Sequence, residues 1–409
     1  MNPLLKRLGL SEISPFFDEC YEAALQEPGL PVWLTEEFVR ETAAVTPILT
    51  TNLEAAVAAI PAVTANADLL LFAKTLHRML GNRQHHEIVF PGLAFPKAPE
   101  GQDPLGWDMC PLYPMLARIR ETYEQMCTGK LPKDILEATF SGVNGSISAS
   151  FRLAGRHAFI PRYFLWCTTY STGALYRLKH FTCELRSDIR LPIRAFQNAE
   201  GVLVLLADTG VKFHRNGRLL GAAGATDPEG AFTAQYRETE DCYEGYTVDG
   251  AKGLGSSAVL SLPKSQWTPV YTPGDVLVSL HIPKSQSFAP EALEEAFLDV
   301  EDFFRSVLPE CNAKGCVCVS WLLAPELQDI LRPTANILGF QSRFVKFPSM
   351  SNGLEVFAFV FDRAISSLSE VNLEELPENT SLAKSLKALY LQGHYLCETG
   401  GFRPFSLKA

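Results

Sequence analysis

One stretch of the sequence, residues 274–323, constrains the fold more than any other. Residues 275–282 (DVLVSLHI) have the apolar character of a buried strand, a polar turn follows, and an amphipathic helix begins at Pro290. A second buried strand occupies residues 315–323 (GCVCVSWLL). No hairpin signal joins the two strands, so the order predicts a strand–helix–strand crossover. The ends of such strands meet at a crevice where ligands bind, which makes His281, Ser320 and Trp321 the first candidates for a site.

The helix of this crossover carries one apolar stripe, formed by Leu293, Phe297, Val300, Phe304 and Val307, with acidic residues opposite. This spacing predicts a helix packed on a sheet, with Pro290 at its first position. Three acidic residues, Glu291, Glu294 and Glu295, crowd its first turns. Negative charge there competes with an anionic ligand for the positive end of the helix dipole.

The rest of the chain indicates an α/β or α+β protein with two domains. Residues 1–155 are predicted to be mostly helical, with helices at residues 67–80, 113–128 and 132–151. Residues 156–409 are predicted to form a mixed-sheet domain, with strands at residues 176–185, 202–208, 211–218 and 355–361 and a helix at 381–391. Residues 221–263 show little periodicity and are expected to be a long loop excursion.

Composition excludes several classes of protein. The chain has 409 residues, of which 47% are hydrophobic and 20% charged, so it can bury full cores. A formal net charge of -10 argues against nucleic-acid binding and weakly against an anionic membrane surface. The start (MNPLLKR) lacks the apolar region of a signal peptide, and the ten cysteines are expected to be reduced thiols, so a cytoplasmic protein is predicted.

No metal site is expected. His394 and the adjacent histidines at 85 and 86 have no partner at ligand spacing, and Cys316 and Cys318 lack a Cys-x-x-Cys pattern. The PGDV sequence before His281 weakly resembles the sequence of a cupin-like metal site, but no second histidine pair precedes it.

Several phrases of the sequence resemble a known family. These are residues 176–184 (YRLKHFTCE), 280–283 (LHIP), 318–323 (CVSWLL) and 335–340 (ANILGF), together with the tail from residue 376. They are similar to bacterial acyltransferase-domain proteins that pair a helical N-terminal N-acyltransferase domain with a GNAT-like C-terminal domain. The resemblance implies such a domain pair, 1–155 and 156–409, and an acyl-CoA-dependent transfer to the amine of a small molecule or peptide. Acetyl-CoA or another acyl-CoA would be the co-substrate, admitted between splayed central strands.

In such a domain the turn after the first crossover strand holds the CoA pyrophosphate, with the backbone N–H groups of the following helix as donors. The cofactor-binding candidates are Ile282, Lys284, Ser285, Gln286 and Ser287. The turn lacks the Gly-rich sequence usual at this place.

The catalytic candidates follow from the chemistry that amine acylation needs. His281 is the candidate general base, with Glu184 and Glu244 as alternative carboxylates, and Ser320 could hydrogen-bond the departing thiolate. Trp321, Asn336 and Tyr243 are the substrate-binding candidates. Each also has a purely structural interpretation: a hydrogen-bonded strand histidine, a solvated carboxylate, or a buried aromatic anchor.

Two functions therefore remain open from the sequence. The first is an acyl-CoA N-acyltransferase that works by direct transfer. The alternative is a non-enzymatic ligand-binding or regulatory protein that retains a degenerate GNAT-like fold, which the missing glycines and the acidic helix start favour.

Overall fold

The computed structural model describes residues 2–11, 16–81, 94–283, 286–363 and 365–406. The chain divides into two compact units, Met1–Leu178 and Lys179–Ala409. The division lies later than the predicted boundary at 155/156. Residues 156–178 join the first unit because Pro161–Thr168 is a helix that packs on two preceding helices, and strand structure begins only at Leu175.

The first unit is helical, as predicted. Its helices are α1 (Pro3–Arg7), α2 (Phe17–Leu25), α3 (Glu36–Val45), α4 (Leu53–Thr64), α5 (Ala67–Leu80), α6 (Leu105–Met109), α7 (Leu112–Cys127), α8 (Lys133–Ala154) and α9 (Pro161–Thr168), followed by strand β1 (Leu175–Arg177). Helix α5 begins where the Asn66 side-chain oxygen accepts hydrogen bonds from the N–H groups of Asp68 and Leu69. The apolar faces meet in one core that contains Phe72, Tyr113 and Phe140.

One glycine of α8 shows how tightly this core is packed. A Cβ atom on Gly142 would lie 2.4 Å from the Tyr170 hydroxyl oxygen. Glycine weakens a helix interior by about 1 kcal/mol relative to alanine, and here it provides the space that the tyrosine occupies. No single helix of the described ranges is long and apolar enough to cross a membrane; α4 and α5 reach that length and composition only as a pair, with a bend of 116° between them.

The second unit contains two main sheets. Its strands are β2 (Thr182–Arg186), β3 (Ile193–Asn198), β4 (Leu203–Ala207), β5 (Lys212–Phe213), β6 (Phe232–Thr233), β7 (Tyr236–Glu238), β8 (Cys242–Asp249), β9 (Leu254–Pro263), β10 (Trp267–Tyr271), β11 (Leu277–His281), β12 (Gly315–Ser320), β13 (Val345–Pro348) and β14 (Thr399–Pro404). The first sheet has the order β2-β11-β12-β14-β13. The second has the order β10-β3-β4-β8-β7, with β9 paired to β8. Its helices are α10 (Pro290–Ser306), α11 (Leu327–Ile330), α12 (Asn336–Gln341), α13 (Glu355–Val360) and α14 (Ser381–Leu391).

The two sheets share a core. Leu277, Val317 and Phe402 of the first sheet pack with Ile193 and Leu205 of the second. Because strand side chains alternate between faces, the neighbours of these residues point away from the second sheet. That face is also buried, which accounts for the nearly continuous apolar sequence of β11 and β12.

Three sequence predictions for this unit are wrong. Residues 355–361 form helix α13 rather than a strand, since Phe357 and Phe361 are one helical turn apart and pack together against Tyr390. A short apolar run does not distinguish a buried helix from a buried strand. Residues 211–218 form only the two-residue strand β5 before a turn at Gly217, whose φ is +85°.

The third concerns residues 221–263, which contain the long β8–β9 hairpin instead of a loop excursion. Five of the ten residues of strand β9 are exposed, among them Ala258 and Val259, so its apolar residues do not follow the alternation that marks a half-buried strand. The predicted single strand at 176–185 is also divided, into β1 and β2.

Candidate functional site

The predicted crossover is confirmed. Strands β11 and β12 are parallel neighbours, joined through α10, with Val278 opposite Cys316 and Ser279 opposite Val317. Both strands continue beyond these pairs, to His281 and to Ser320 respectively. When the same register is continued for two residues along both strands, His281 lies opposite Val319, and the two side chains are on the same face of the sheet.

At the end of β11 the structure joins two of the predicted catalytic residues. Strand β2 runs antiparallel to β11, with Thr182 opposite His281 and Glu184 opposite Ser279. Residues two apart lie on one face, so the side chains of Glu184 and His281 meet, with 3.0 Å between the Glu184 Oε2 and His281 Nε2 atoms. The glutamate is 7% exposed, and its second oxygen lies 3.6 Å from Arg186 Nη1. A buried carboxylate of this kind fixes the orientation of the imidazole ring.

Ser320 and Trp321 stand at the end of β12. The Ser320 Oγ accepts a hydrogen bond of 3.2 Å from the Leu322 N–H and so caps the 3-10 turn Trp321–Leu323. The hydroxyl retains its own proton as a donor. Trp321 is half-buried at the edge of a core cluster, with its ring 6.5 Å from that of Phe359.

The turn after β11 supplies the cofactor-binding candidates. Ile282, Gln286 and Ser287 are described, whereas Lys284 and Ser285 lie outside the described residues, as do the histidines at 85 and 86. The Ser287 Oγ accepts a hydrogen bond from the Ala289 N–H, immediately before α10. Helix α10 has Pro290 in its first turn and no side-chain cap. No capping side chain therefore accepts a hydrogen bond from the first N–H groups of the helix.

The acidic residues at the start of α10 are paired with basic side chains. Lys179 Nζ lies 3.0 Å from Glu295 Oε1 and 3.2 Å from Asp299 Oδ2, and this lysine lowers the pKa of Glu295. Arg343 and Arg403 both approach the Glu294 carboxylate, at 3.6 and 3.4 Å. These cations reduce the negative charge that the sequence places at the helix start.

The two remaining substrate-binding candidates lie elsewhere in the unit. Tyr243 is on β8 of the second sheet, where its ring packs 4.7 Å from that of Phe196 and under the Lys264 ammonium. Asn336 is the exposed first residue of α12, and Ala335 precedes it as the cap. The ring contacts of Tyr243 give it a structural role in the second sheet.

A cleft of about 600 Å³ opens beside the end of β12. Its lining is mainly apolar and includes Leu191, Val211, Leu219, Val319, Phe347 and Met350. Val319 is 48% exposed and Met350 59% exposed, which is unusual for large apolar side chains. An apolar cleft next to polar groups is the usual form of a small-molecule site. No local sequence pattern indicates this cleft, because its walls come from separate segments, residues 189–192, 208–220 and 347–350, together with Val319.

Other chemistries find little support. The ten cysteines form no disulfide bond within the described ranges, and burial raises the pKa of Cys318 to about 12 and also raises that of Cys316. Buried thiols of high pKa are poor nucleophiles. Within the described ranges, no group of three or more His, Cys, Asp or Glu side chains could hold a metal ion.

Comparison with known proteins assigns part of the chain. Residues 229–403 match the model of a family described as the GNAT-like C-terminal domain. This part of the chain is a GNAT-like C-terminal domain. The match confirms the predicted resemblance for residues 229–403, and it contains His281, Ser320, Trp321 and the turn after β11. Glu184 lies before its first residue.

Solved structures share the fold of the whole chain. One is an acyltransferase mutant in complex with octanoyl-CoA, with a TM-score of 0.64 and 16% identity, covering 98% of both chains. Another is an acyltransferase in complex with decanoyl-CoA and teicoplanin, with a TM-score of 0.61 and 18% identity, covering 99% of this chain and 100% of that one. At this identity the likeness concerns the fold, in which the GNAT-like domain follows a helical N-terminal region. No curated protein matches the sequence.

Proposed function

We propose that this protein is an acyl-CoA-dependent acyltransferase that transfers the acyl group to an amine. The observation that carries the proposal is the hydrogen-bonded pair of Glu184 and His281 at the end of β11, in a GNAT-like domain whose next strand, β12, lines an apolar cleft through Val319. The acyltransferases that share the fold were crystallised with octanoyl-CoA or decanoyl-CoA. An acyl chain of this kind fits the apolar lining of the cleft. One of these relatives also contained teicoplanin, which is consistent with a small-molecule or peptide amine as acceptor.

In the proposed reaction the thioester lies at the ends of β11 and β12. His281, held by Glu184, takes a proton from the acceptor ammonium, directly or through a water molecule. The amine nitrogen bonds to the thioester carbonyl carbon, and the carbon–sulfur bond breaks. The CoA thiolate leaves and receives a proton, with the Ser320 hydroxyl as its hydrogen-bond donor. Trp321 would border the acyl group, and Asn336 and Tyr243 remain candidates for more distant substrate contacts.

The CoA pyrophosphate would bind at the start of α10. The backbone N–H groups of Glu291 and Ala292 precede the first N–H used inside the helix, that of Leu293, and an anion could accept from them. Ile282, Gln286 and Ser287 would border the pyrophosphate, together with the lysine and serine at 284 and 285. Lys179, Arg343 and Arg403 offset the acidic residues of the helix and so permit an anion nearby.

Binding and turnover test the proposal separately. Titration calorimetry with acetyl-CoA, octanoyl-CoA and decanoyl-CoA should show binding, and release of free CoA thiol in the presence of a primary amine should report transfer. His281→Gln should lower kcat by about 100-fold or more, the contribution typical of a general base, and leave acyl-CoA binding intact. Glu184→Gln should lower kcat in the same way but less, because an amide keeps a hydrogen bond to the ring.

The chain offers matched controls for both variants. His394 is exposed, and Glu244 is paired with Arg237 on the second sheet. His394→Gln and Glu244→Gln should leave kcat and KM unchanged. Absence of binding to all three acyl-CoA ligands at millimolar concentration would refute the proposal.

One observation favours a second function, a ligand-binding or regulatory protein without activity. The turn between β11 and α10 lacks a Gly-rich sequence, and Glu291 remains at the helix start. Tight binding of an acyl-CoA with no release of CoA in the presence of any amine would favour this function over transfer.

A further inference from the structure

A second cleft, of about 270 Å³, lies in the same unit as the apolar one and shares two of its wall residues, Pro348 and Ser349. Its lining contains a larger share of polar and charged side chains than that of the first cleft. The charged or ionisable side chains on its wall are Arg218, Lys252, Glu326, Cys397 and Glu398. The two clefts are therefore adjacent and differ in chemistry.

The positive charge of Arg218 is already engaged. Its guanidinium forms an ion pair with the Glu326 carboxylate, contacts the Cys397 sulfur and lies 3.4 Å from the Ala223 carbonyl oxygen. Lys252 is exposed at the outer edge of the cleft. The interior of the cleft thus has little free positive charge.

The carboxylates are only partly satisfied. Glu326 bonds to Arg218 through Oε1, whereas its Oε2 is buried and has no hydrogen-bond partner. Glu398 is largely buried, and no ion pair joins it to a basic side chain of the described residues. Burial, and then repulsion from the nearby Glu355 carboxylate, raise the pKa of Glu398 from 4.5 to about 7. A buried acceptor without a partner is costly, and a bound donor would remove that cost.

A primary ammonium group matches these needs. It supplies three N–H donors and one positive charge, which are what Glu326 Oε2 and the Glu398 carboxylate each lack. An anion would meet two carboxylates, and a metal ion would find no group of three ligands here. We propose that this cleft binds the primary ammonium group of the acceptor between the Glu326 and Glu398 carboxylates.

The assignment rests on the proposed acyltransferase function and deepens it by giving the acceptor a place. The shared wall of Pro348 and Ser349 would bring an amine in the polar cleft next to an acyl group in the apolar one. Glu398 would recognise the charge of the acceptor. His281 lines neither cleft, so the proton that leaves the ammonium would reach it through water.

Ligand-observed NMR titration of the full chain tests the cleft without turnover. Ethanolamine is the probe, and 1,2-ethanediol is its uncharged counterpart. Ethanolamine should bind at pH 8, and Glu398→Gln should weaken binding by about tenfold or more, the loss expected for a charge-assisted hydrogen bond. Glu200→Gln, at an exposed turn, is the matched control and should bind as the unchanged protein does.

The pH dependence adds a second readout. Affinity for ethanolamine should rise from pH 6 to pH 8 as Glu398 ionises, and this rise should disappear in Glu398→Gln. The other titratable or charged groups at the cleft are Arg218, Lys252, Glu326 and Cys397, with Glu355 behind, and they are the same in both proteins. Equal affinity in the two proteins, or equal binding of the diol, would overturn the assignment.

Two further measurements keep the result interpretable. Glu326→Gln serves as a second variant if Glu398→Gln does not fold, and it too should weaken ethanolamine binding. Octanoyl-CoA binding is measured in parallel. A protein that binds octanoyl-CoA but no ethanolamine would overturn the cleft assignment alone, whereas one that binds ethanolamine but no acyl-CoA would overturn the acceptor role together with the proposed function.

Discussion

Glu398 provides a stability test that needs no ligand. The carboxyl group is largely buried beside Glu355, and its pKa rises from 4.5 to about 7. The folded protein then holds a proton that the unfolded chain has already released between these two values. This is the reverse of the usual carboxylate, whose pKa falls on folding, so the stability contributed by Glu398 is lost as pH rises from about 4.5 to about 7.

The magnitude follows from the same two values. Each pKa unit corresponds to about 1.36 kcal/mol, so at pH 8 the ionised Glu398 would destabilise the folded state by at most about 3 kcal/mol. Solvent in the cleft screens the charge, and we expect about 1 to 3 kcal/mol. Near pH 5 the penalty should be below about 1 kcal/mol, since pH 5 is only about half a unit above the pKa of the carboxyl group in the unfolded chain.

Glu398→Gln removes the titration while keeping the shape of the side chain. Urea denaturation followed by tryptophan fluorescence, at pH 5 and pH 8, gives the free energy of unfolding of both proteins. The variant should gain stability relative to the unchanged protein at pH 8 and gain little at pH 5, and Glu200→Gln should show no such trend. A variant that is less stable at pH 8, or a difference independent of pH, would refute the reasoning.

Two further predictions concern packing. Gly400→Ala should lower the free energy of unfolding, measured by urea denaturation, by about 1 to 3 kcal/mol, because the new Cβ would lie 2.1 Å from the Phe347 ring. Gly145→Ala is the matched control on α8. A Cβ there meets no atom within 4 Å, so this change should raise the free energy of unfolding by about 1 kcal/mol. Gln341→Leu should cost about 3 kcal/mol or more, because it removes the hydrogen bonds that Gln341 makes to two backbone carbonyls and to the buried Lys346 ammonium. Adding Lys346→Met should recover part of that loss, and a double variant less stable than the single one would contradict the argument.

The crossover was predictable because all of its signals are local. An apolar strand, a polar turn, an apolar stripe at helical spacing and a second apolar strand follow one another within residues 274–323. Helices α5 and α14 were predictable for the same reason. Helix α13 was not, since its six residues are short enough for tertiary packing on Tyr390 to decide the conformation.

The candidate site was also predictable only where its signals are local. His281 and Glu184 were each visible as polar residues in apolar strands, but 97 residues separate them. Their contact depends on the antiparallel register of β2 and β11, which no local pattern gives. Glu398 had no signal at all, because its unusual environment consists of residues from four separate segments.

The start of α10 shows how such distant partners change a functional argument. From the sequence, Glu294 and Glu295 count against an anion at this helix, because local charges are all that a sequence displays. In the structure Lys179 comes from the segment before β2, Arg343 from the end of α12 and Arg403 from β14, and each lies near one of these carboxylates. Among the ion pairs of the described residues, Glu294 and Glu295 each have a basic partner, and Glu291 does not. Because paired charges largely cancel beyond their own contact distance, the dipole of the 17-residue helix keeps much of its attraction for an anion, and the acidic sequence alone is no reason to exclude a CoA pyrophosphate.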